Sequence, residues 1–390
     1  MYAVYANMSS SKTDILIVGG GLAGCATAYY LAKAGAEVTL VERGDLNMQA
    51  SGANAGSFHA QIPHLTFLEE GDAWARNFAP VVEMLIAGIE LWRTLEAELD
   101  ADLDVRIVGG LLIADRPEQM RDIERRMALE RAHGLEIHGL TREELLSLAP
   151  YASPHAVGGC FCPIEGKANP LKATAAFAKR AQELGAIFHR NTEILALESV
   201  AGGFAAATSG GTIRARRVVN CGGASGGKIA AMLGIGVDIQ CFPIQVNVTA
   251  PVAPIIKHLV YAAGHRLSLK QTANGTLLIG GGWPARLARE TGRPVVDVNS
   301  MIENLKTAKL VVPAVGGAHL VRTWAAIVNG TADWKPVIGE APTHKGFYFN
   351  LFPWTGFTAG PISALTTAEL VLGRQPSIDI ERYSSLRAAS

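Results

Sequence analysis

The sequence lacks any imbalance of charge: Lys plus Arg number 35, and so do Asp plus Glu, in 390 residues. A balanced chain gives no electrostatic reason to bind nucleic acid or an anionic membrane. No apolar run approaches the ~18 residues that read as a membrane span. The opening "MYAVYANMSSSK" carries neither a basic n-region nor an apolar h-region, so no signal peptide is expected. Cysteine is sparse: five residues, at 25, 160, 162, 221 and 241, with no CxxC. That pattern predicts neither a zinc site nor a disulfide framework. It fits free thiols in a reducing cytoplasm. Repeats and low-complexity segments are absent. Hydrophobic residues at 49% against 18% charged provide for a sizeable core and argue against disorder.

Charge is also missing locally. "NMQASGANAGSFHAQIPH", Asn47 to His64, has no acid and no lysine or arginine. A solvent loop rich in turn residues usually carries charge, so this one is expected to face something other than water.

What is present is a strand–turn–helix–strand unit. "TDILIVGGG" reads as a buried strand meeting a glycine turn, "LAGCATAYYLAKAG" has helical spacing, and "AEVTLVER" is a second strand. The turn contains Gly19-x-Gly21-x-x-Gly24, and Glu42 ends the second strand, which completes the dinucleotide fingerprint. Gly19 permits the tight turn, Gly21 lets backbone N–H groups approach a pyrophosphate, and Gly24 lets helix and strand pack closely. Leu22 and Ala23 open the helix whose N-terminus faces the phosphates. Glu42 accepts hydrogen bonds from a ribose diol. The fingerprint alone does not separate NAD from FAD. The uncharged loop that follows suits a longer dinucleotide with a second clasp.

Further along, "TREELLSLAP" reads as a short helix capped by Thr141 with Glu144 three residues on. "VRIVGGLLIAD" suggests a strand pair or hairpin, and "PEQMRDIERRMALERAHG" a charged, exposed helix. Asn274-Gly275 is a hairpin turn signal.

Several segments together resemble the D-amino-acid-oxidase-like FAD oxidoreductases, which include glycine and sarcosine oxidases. They are "ILIVGGGLAGCATAYYLAKAGAEVTLVER", "ASGANAGSFHAQ", "GKANPLKATAAFAKRAQELGA", "RRVVNCGGAS", "RTWAAIVNGTADWKPVIGE" and "GFYFNLFPWTGFTAGPISALTTAELV". "SGANAGSFHAQ", "CPIEGKANP" and "LKQTANGTLLIGGGWP" look nearest to the catalytic β subunits of heteromeric dehydrogenases. That branch includes opine oxidase, D-hydroxyproline and proline dehydrogenases and hydrogen cyanide synthase.

The resemblance implies an α/β fold with an α+β second domain. A Rossmann-like FAD-binding domain (13–64, 148–238 and 320–385) would join a discontinuous substrate domain (65–147 and 239–319) with a mixed, largely antiparallel sheet. Residues 1–12 would form a flexible tail. It implies FAD held by Gly19, Gly21, Leu22, Ala23, Gly24, Glu42 and Arg43 at the ADP half. Ala50, Ser51, Gly52, Asn54, Ala55 and Gly56 would line the pyrophosphate and flavin, and Ile194 the adenine side. Cys221, Gly222 and Gly223 would pass close by, and Gly356, Phe357 and Thr358 would meet the flavin pyrimidine edge. No metal is expected. The implied reaction is dehydrogenation of an amino-acid-derived C–N bond, an opine being favoured, with the α-hydride passing to flavin N5 and the imine hydrolysed. Partner subunits would take the electrons. The implied setting is cytoplasmic, with membrane association through such partners left open. A stand-alone oxidase, an NAD-dependent reductase and a flavin-binding scaffold are the competing readings.

One departure matters. The family's carboxylate-binding Arg lies in a "WAGLRP"-like or "GFRP"-like segment, and here "WAAIVN" puts Val328 there. A carboxylate in a dry pocket needs a cation or several donors. Alternation in "HRLSLKQ" puts Arg266, Ser268 and Lys270 on one strand face. Arg266 or Lys270 is the candidate replacement, with Ser268 at the place of a carboxylate-binding Tyr. His59, just past the glycine loop, is the candidate amine-proton acceptor on the premise of a near-neutral pKa.

Overall fold

Ile15, Leu16 and Ile17 are fully buried side by side. A strand apolar on both faces belongs in a parallel sheet covered on both sides. The computed structural model, which describes residues 10–382 and Ser384, puts it there. Strand Ser10–Val18 lies parallel between Val38–Val41 and Gly211–Asn220, and Ile187–His189 and Phe347–Leu351 extend the parallel set. Three antiparallel strands, Ile194–Val200, Gly203–Thr208 and Val337–Glu340, complete eight. Helix Leu22–Lys33 leaves the end of the first strand through the glycine turn and is buried along most of its length. This is the Rossmann-like unit.

The second sheet also has eight strands. Leu320–Gly330 pairs with Gln240–Thr249, followed by Leu277–Gly280, Ser268–Gln271, Leu259–Ala262, Gly110–Ala114, Gly158–Cys162 and His138–Thr141. One neighbouring pair is parallel, Leu259–Ala262 with Gly110–Ala114, and the others are antiparallel. The fold class is the expected one, an α/β unit beside a mixed, largely antiparallel sheet. Ser268–Gln271 and Leu277–Gly280 flank the turn at Asn274-Gly275, where Gly275 has φ +89°. Thr141 and Glu144 form the capping box at helix Arg142–Leu148.

Four expectations change. Residues 10–12 are not tail: Ser10 to Lys12 pair with Thr212 to Arg214, and the rest of that stretch lies outside the described residues. Gly158–Cys162 and Leu320–Gly330 fall within the segments assigned to the cofactor domain, yet both are strands of the second sheet. Helix Val81–Leu99, assigned to the substrate domain, packs on the cofactor side. Its Trp92 Nε1 donates to Thr358 O at 3.0 Å, and Glu98 pairs with Lys33 at 2.8 Å. Arg106–Ile107 and Gly110–Ala114 are two strands, but they pair with different partners and make no hairpin.

The helix expected to be exposed, Pro117–Ala132, buries an ion pair. Arg126 and Glu130 are about 1% and 0% accessible, and Arg126 Nε lies 3.4 Å from Glu130 Oε1. At i,i+4 spacing the pair looks in sequence like any surface pair. Burial raises the Glu130 pKa to about 7, against the pull of the guanidinium. Removing one partner leaves a buried charge uncompensated, at about 3–5 kcal/mol. Arg126→Ala is therefore expected to lose that much unfolding free energy at pH 8, by urea titration. A loss under about 1 kcal/mol would show that Glu130 is not held as an ion.

Candidate active site

The glycine turn is shaped by steric exclusion. A Cβ on Gly19 would stand 2.5 Å from Cys221 O, and one on Gly24 would stand 1.9 Å from Gly19 O. Gly19 also has φ +114°, a conformation that favours glycine. Helix Leu22–Lys33 has Gly21 as its N-cap, which offers no side chain of its own as a cap. Its orphan N–H groups and dipole make an anion site. Glu42 closes the turn: Oε2 accepts from Gly20 N at 2.7 Å and Oε1 from Gly44 N at 2.9 Å. Arg43 is exposed beside it, and Ile194 is buried at the start of its strand.

The uncharged loop reaches the same place. It folds into a short helix, Ala50–Ala53. Ser51 Oγ accepts from Leu22 N at 3.0 Å, so the loop closes directly on the helix N-terminus. A Cβ on Gly21 would meet that oxygen at 2.9 Å. Asn54 ties the loop down, with Nδ2 donating to Ser51 O at 2.5 Å and Oδ1 accepting from Gly56 N at 2.6 Å. Gly52 and Gly56 have no room for a Cβ, which would lie 1.9 Å from Asn47 O and 2.1 Å from Ala168 O. Gly222 N donates to Asn220 Oδ1 at 3.1 Å, and Gly223 has φ +52°.

From this clasp a cavity of about 960 Å³ runs along the second sheet. Ala50, Asn54, Ala55 and Gly56 line one end. Phe357 and Thr358 stand in its wall, ahead of helix Gly360–Val371. Thr358 Oγ1 accepts from His59 N at 2.9 Å, and Phe357 stacks on Phe58 with ring centres 5.8 Å apart. A Cβ on Gly356 would approach Phe352 O at 2.8 Å. These residues fit an extended dinucleotide: unfilled N–H groups at one end, a Cβ-free cradle along it, an aromatic-walled cavity at the other.

The substrate-side candidates divide. His59, Arg266, Ser268 and Val328 all line the cavity. Arg266 sits at the mouth, 45% exposed, 3.5 Å from Glu69 Oε1. Lys270 does not line the cavity. It is buried, its Nζ donates to Ser57 Oγ at 3.0 Å, and burial with Lys167 nearby holds its pKa well below normal. The strand alternates as expected, but Lys270 is not in the cavity wall and its ammonium is held by Ser57, which is. His59 has no near-neutral pKa. Burial, with Lys270 adding to it, lowers it to about 4, so the ring is uncharged at neutral pH. Trp324, a residue type that usually packs in a core, is a wall residue whose Nε1 donates to Ala53 O at 2.7 Å.

Sequence reasoning missed a polar cluster on the same wall. Glu165, Tyr261, Gln61 and Arg126 line the cavity beside His59. Glu165 stands alone in a Gly/Cys/Pro-rich stretch and meets Gln61 across 104 residues, so no local pattern reveals it. Among the described residues no group of His, Cys, Asp and Glu forms a metal site, and all five cysteines are free. Burial raises the Cys160 thiol to about 12. No described helix is long and apolar enough to cross a membrane.

Over residues 14–370 the chain matches the DAO family model, described as FAD dependent oxidoreductase. It is 27% identical to a glycine oxidase of Geobacillus kaustophilus, over 96% of this chain and 97% of that protein. It is 28% identical to the β subunit of a sarcosine oxidase of Arthrobacter sp, over 94% and 89%. It is 26% identical to a subunit of the opine oxidase of Rhizobium meliloti, over 96% and 98%. A crystal structure of glycine oxidase from Geobacillus kaustophilus superposes with a TM-score of 0.87 at 25% identity, covering 97% of this chain and 100% of that one.

The turn makes a prediction. A methyl at Gly21 crowds Ser51 and the phosphate approach, and overpacking costs about 1–3 kcal/mol. Gly21→Ala is expected to weaken FAD binding by about 5- to 150-fold, read by titrating apoprotein with FAD. Unchanged affinity would remove Gly21 from the cradle. The whole-length family match and the clasp agree: the chain belongs to the DAO family of FAD dependent oxidoreductases, and its cofactor is FAD.

Proposed function

We propose that this flavoprotein oxidises the C–N bond of a small or N-substituted amino acid, in the manner of glycine and sarcosine oxidases. The observation that carries the reading is the cavity wall. His59, an uncharged imidazole, lies on the segment that runs from the FAD clasp, and its backbone N–H is tied to Thr358. An uncharged acceptor suits an amine that reacts in its neutral form. When bound, FAD supplies the acceptor for the α-hydride. The chain's own residues orient the amine, exclude water with Phe357, Trp324 and Trp354, and hold the carboxylate. For the carboxylate, Arg266 and Ser268 are the candidates. Arg266 can exchange Glu69 for substrate at the cavity mouth.

A second reading takes an opine as substrate. It is supported by the charged residues in the cavity lining, Arg266, Glu69 and Glu70. Both signs of charge at the mouth would pair with a larger zwitterionic side chain. In that reading the electrons leave to partner subunits, since the sarcosine oxidase and opine oxidase relatives are each one subunit of a larger enzyme. Oxygen consumption by this chain alone would favour the stand-alone oxidase. Free thiols fit a cytoplasmic setting.

The test is anaerobic bleaching of the bound flavin by glycine, sarcosine, proline, D-hydroxyproline, octopine and nopaline. At least one amine is expected to bleach it. An intact flavin that none of them bleaches refutes amine oxidation by this chain. Arg266→Ala should raise KM for carboxylate substrates by up to about fivefold, the worth of an exposed ion pair, with kcat little changed. Unaltered KM would remove Arg266 from the site.

A further inference from the structure

Glu165 is fully buried, and every lone pair of its carboxylate is spoken for. Oε1 accepts from the backbone N–H groups of Ala60 at 2.7 Å and Gln61 at 3.1 Å. Oε2 accepts from Gln61 Nε2 at 3.0 Å and from the Tyr261 hydroxyl at 3.0 Å. The strand beside it leaves room for this group alone, since a Cβ on Gly110 would lie 1.7 Å from Glu165 Oε2.

The direction of each bond can be derived. The two backbone N–H groups can only donate. Gln61 is fixed by Arg126, whose Nη2 lies 2.7 Å from Gln61 Oε1. A guanidinium has donors and no acceptor, so the amide oxygen must face it and the NH2 must face Glu165. Four donors then fill the lone-pair sites of an ionised carboxylate. Burial raises the Glu165 pKa, and these donors oppose that rise. Tyr261 has one proton and gives it to Glu165. Its oxygen is left as an acceptor, 2.9 Å from His59 Nδ1. Nδ1 must therefore carry the proton of the imidazole. Nε2 has no partner among the described residues and is not sealed off, and the ring belongs to the cavity wall.

We propose that Glu165 is a positioning residue which, through Tyr261, locks His59 in the Nδ1–H tautomer, so that Nε2 presents a bare lone pair to the cavity as acceptor for a substrate N–H. The role of the N–H rests on the amine reading above. The lock itself does not. A fixed acceptor at this point orients primary and secondary amines and gives a neutral tertiary amine nothing to bond. The substrate class is therefore amino acids with at least one hydrogen on nitrogen. Arg126 acts at the far end of the same chain, by fixing the Gln61 amide.

The polarity can be reversed without changing shape. In Glu165→Gln the amide oxygen keeps the two backbone donors and the NH2 donates to Tyr261, while the Gln61 Nε2 bond is lost because two donors then face each other. The tyrosine proton then turns to His59 Nδ1, and the imidazole proton moves to Nε2. The experiment is long-range ¹⁵N–¹H NMR of histidine-labelled holoprotein with oxidised FAD, with His59 assigned by loss of its signals in His59→Asn. Wild type is expected to show the Nδ1–H form and Glu165→Gln the Nε2–H form. Tyr261→Phe should give mixed tautomers whether residue 165 is Glu or Gln. For any amine that bleaches the flavin, kcat/KM should fall about 10- to 100-fold in Glu165→Gln, the worth of one hydrogen bond to a buried group.

An Nε2–H wild type overturns the proposal, as does a folded Glu165→Gln variant with an unchanged tautomer. If Glu165→Gln does not fold, wild type and Tyr261→Phe still decide, because an unmixed Nδ1–H form without the tyrosine hydroxyl would also overturn it. The expected tautomers in a protein that no amine bleaches would leave the lock standing and sink the amine reading.

Discussion

Gly19 and Gly24 approach so closely that a Cβ on Gly24 would lie 1.9 Å from Gly19 O. Closing that turn brings the helix N-terminus to the end of the central strand, where Glu42 can reach Gly20 N. It also sets where the next segment must go. Ser51 reaches Leu22 N only because Gly21 has no side chain in the way. The uncharged segment 47–64 is thus anchored at one end on the turn and at the other on Thr358 through His59 N. A polar loop with no charge is what this position requires. Ser51 and Asn54 spend their side chains on backbone groups of the turn and the loop, and a charged side chain would have to be buried or displace the cofactor.

A second constraint ties the clasp to the second sheet. A buried carboxylate is tolerated only with donors around it, and Glu165 draws them from distant segments: Ala60 and Gln61 from the clasp and Tyr261 from the second sheet. Arg126 joins them from a helix whose outer face is charged. The network therefore holds the substrate wall in register with the cofactor clasp while setting the polarity of His59. Such networks carry more when complete than their separate bonds suggest. One amide orientation at Gln61 decides the direction of three bonds beyond it.

What was legible in the sequence follows from range. The glycine fingerprint, the Thr141–Glu144 box and the Asn274-Gly275 turn are fixed by residues within a few positions of one another, and each forms as its local pattern predicts. The pairing of Gly158–Cys162 and Leu320–Gly330 depends on strands far away, and segment boundaries drawn from local texture put both in the other domain. The Arg126–Glu130 pair misleads for a different reason. Its spacing is that of a solvated helix face, and only packing against Ile62 and Cys160 makes it internal. Lys270 shows the limit of alternation: period two identifies a face, and cannot say that this lysine lies against Ser57 while Ser268 reaches the cavity.

The missing arginine at Val328 acquires a physical consequence. Two arginines line the cavity. Arg126 is compensated by Glu130 and occupied by Gln61 and Ile62, so turning it to a substrate would strand Glu130. Arg266 is free to exchange Glu69, but it is exposed, so water and salt screen its hold on a carboxylate. A carboxylate held by Arg266, as proposed above, would be held more weakly than by a buried, bidentate arginine. Selectivity then falls to the nitrogen end, where Glu165 and Tyr261 give His59 Nε2 a fixed polarity inside the cavity wall. A site built this way discriminates by what the substrate nitrogen can donate and leaves latitude in the rest of the molecule, which suits a cavity open as far as Glu69 and Glu70.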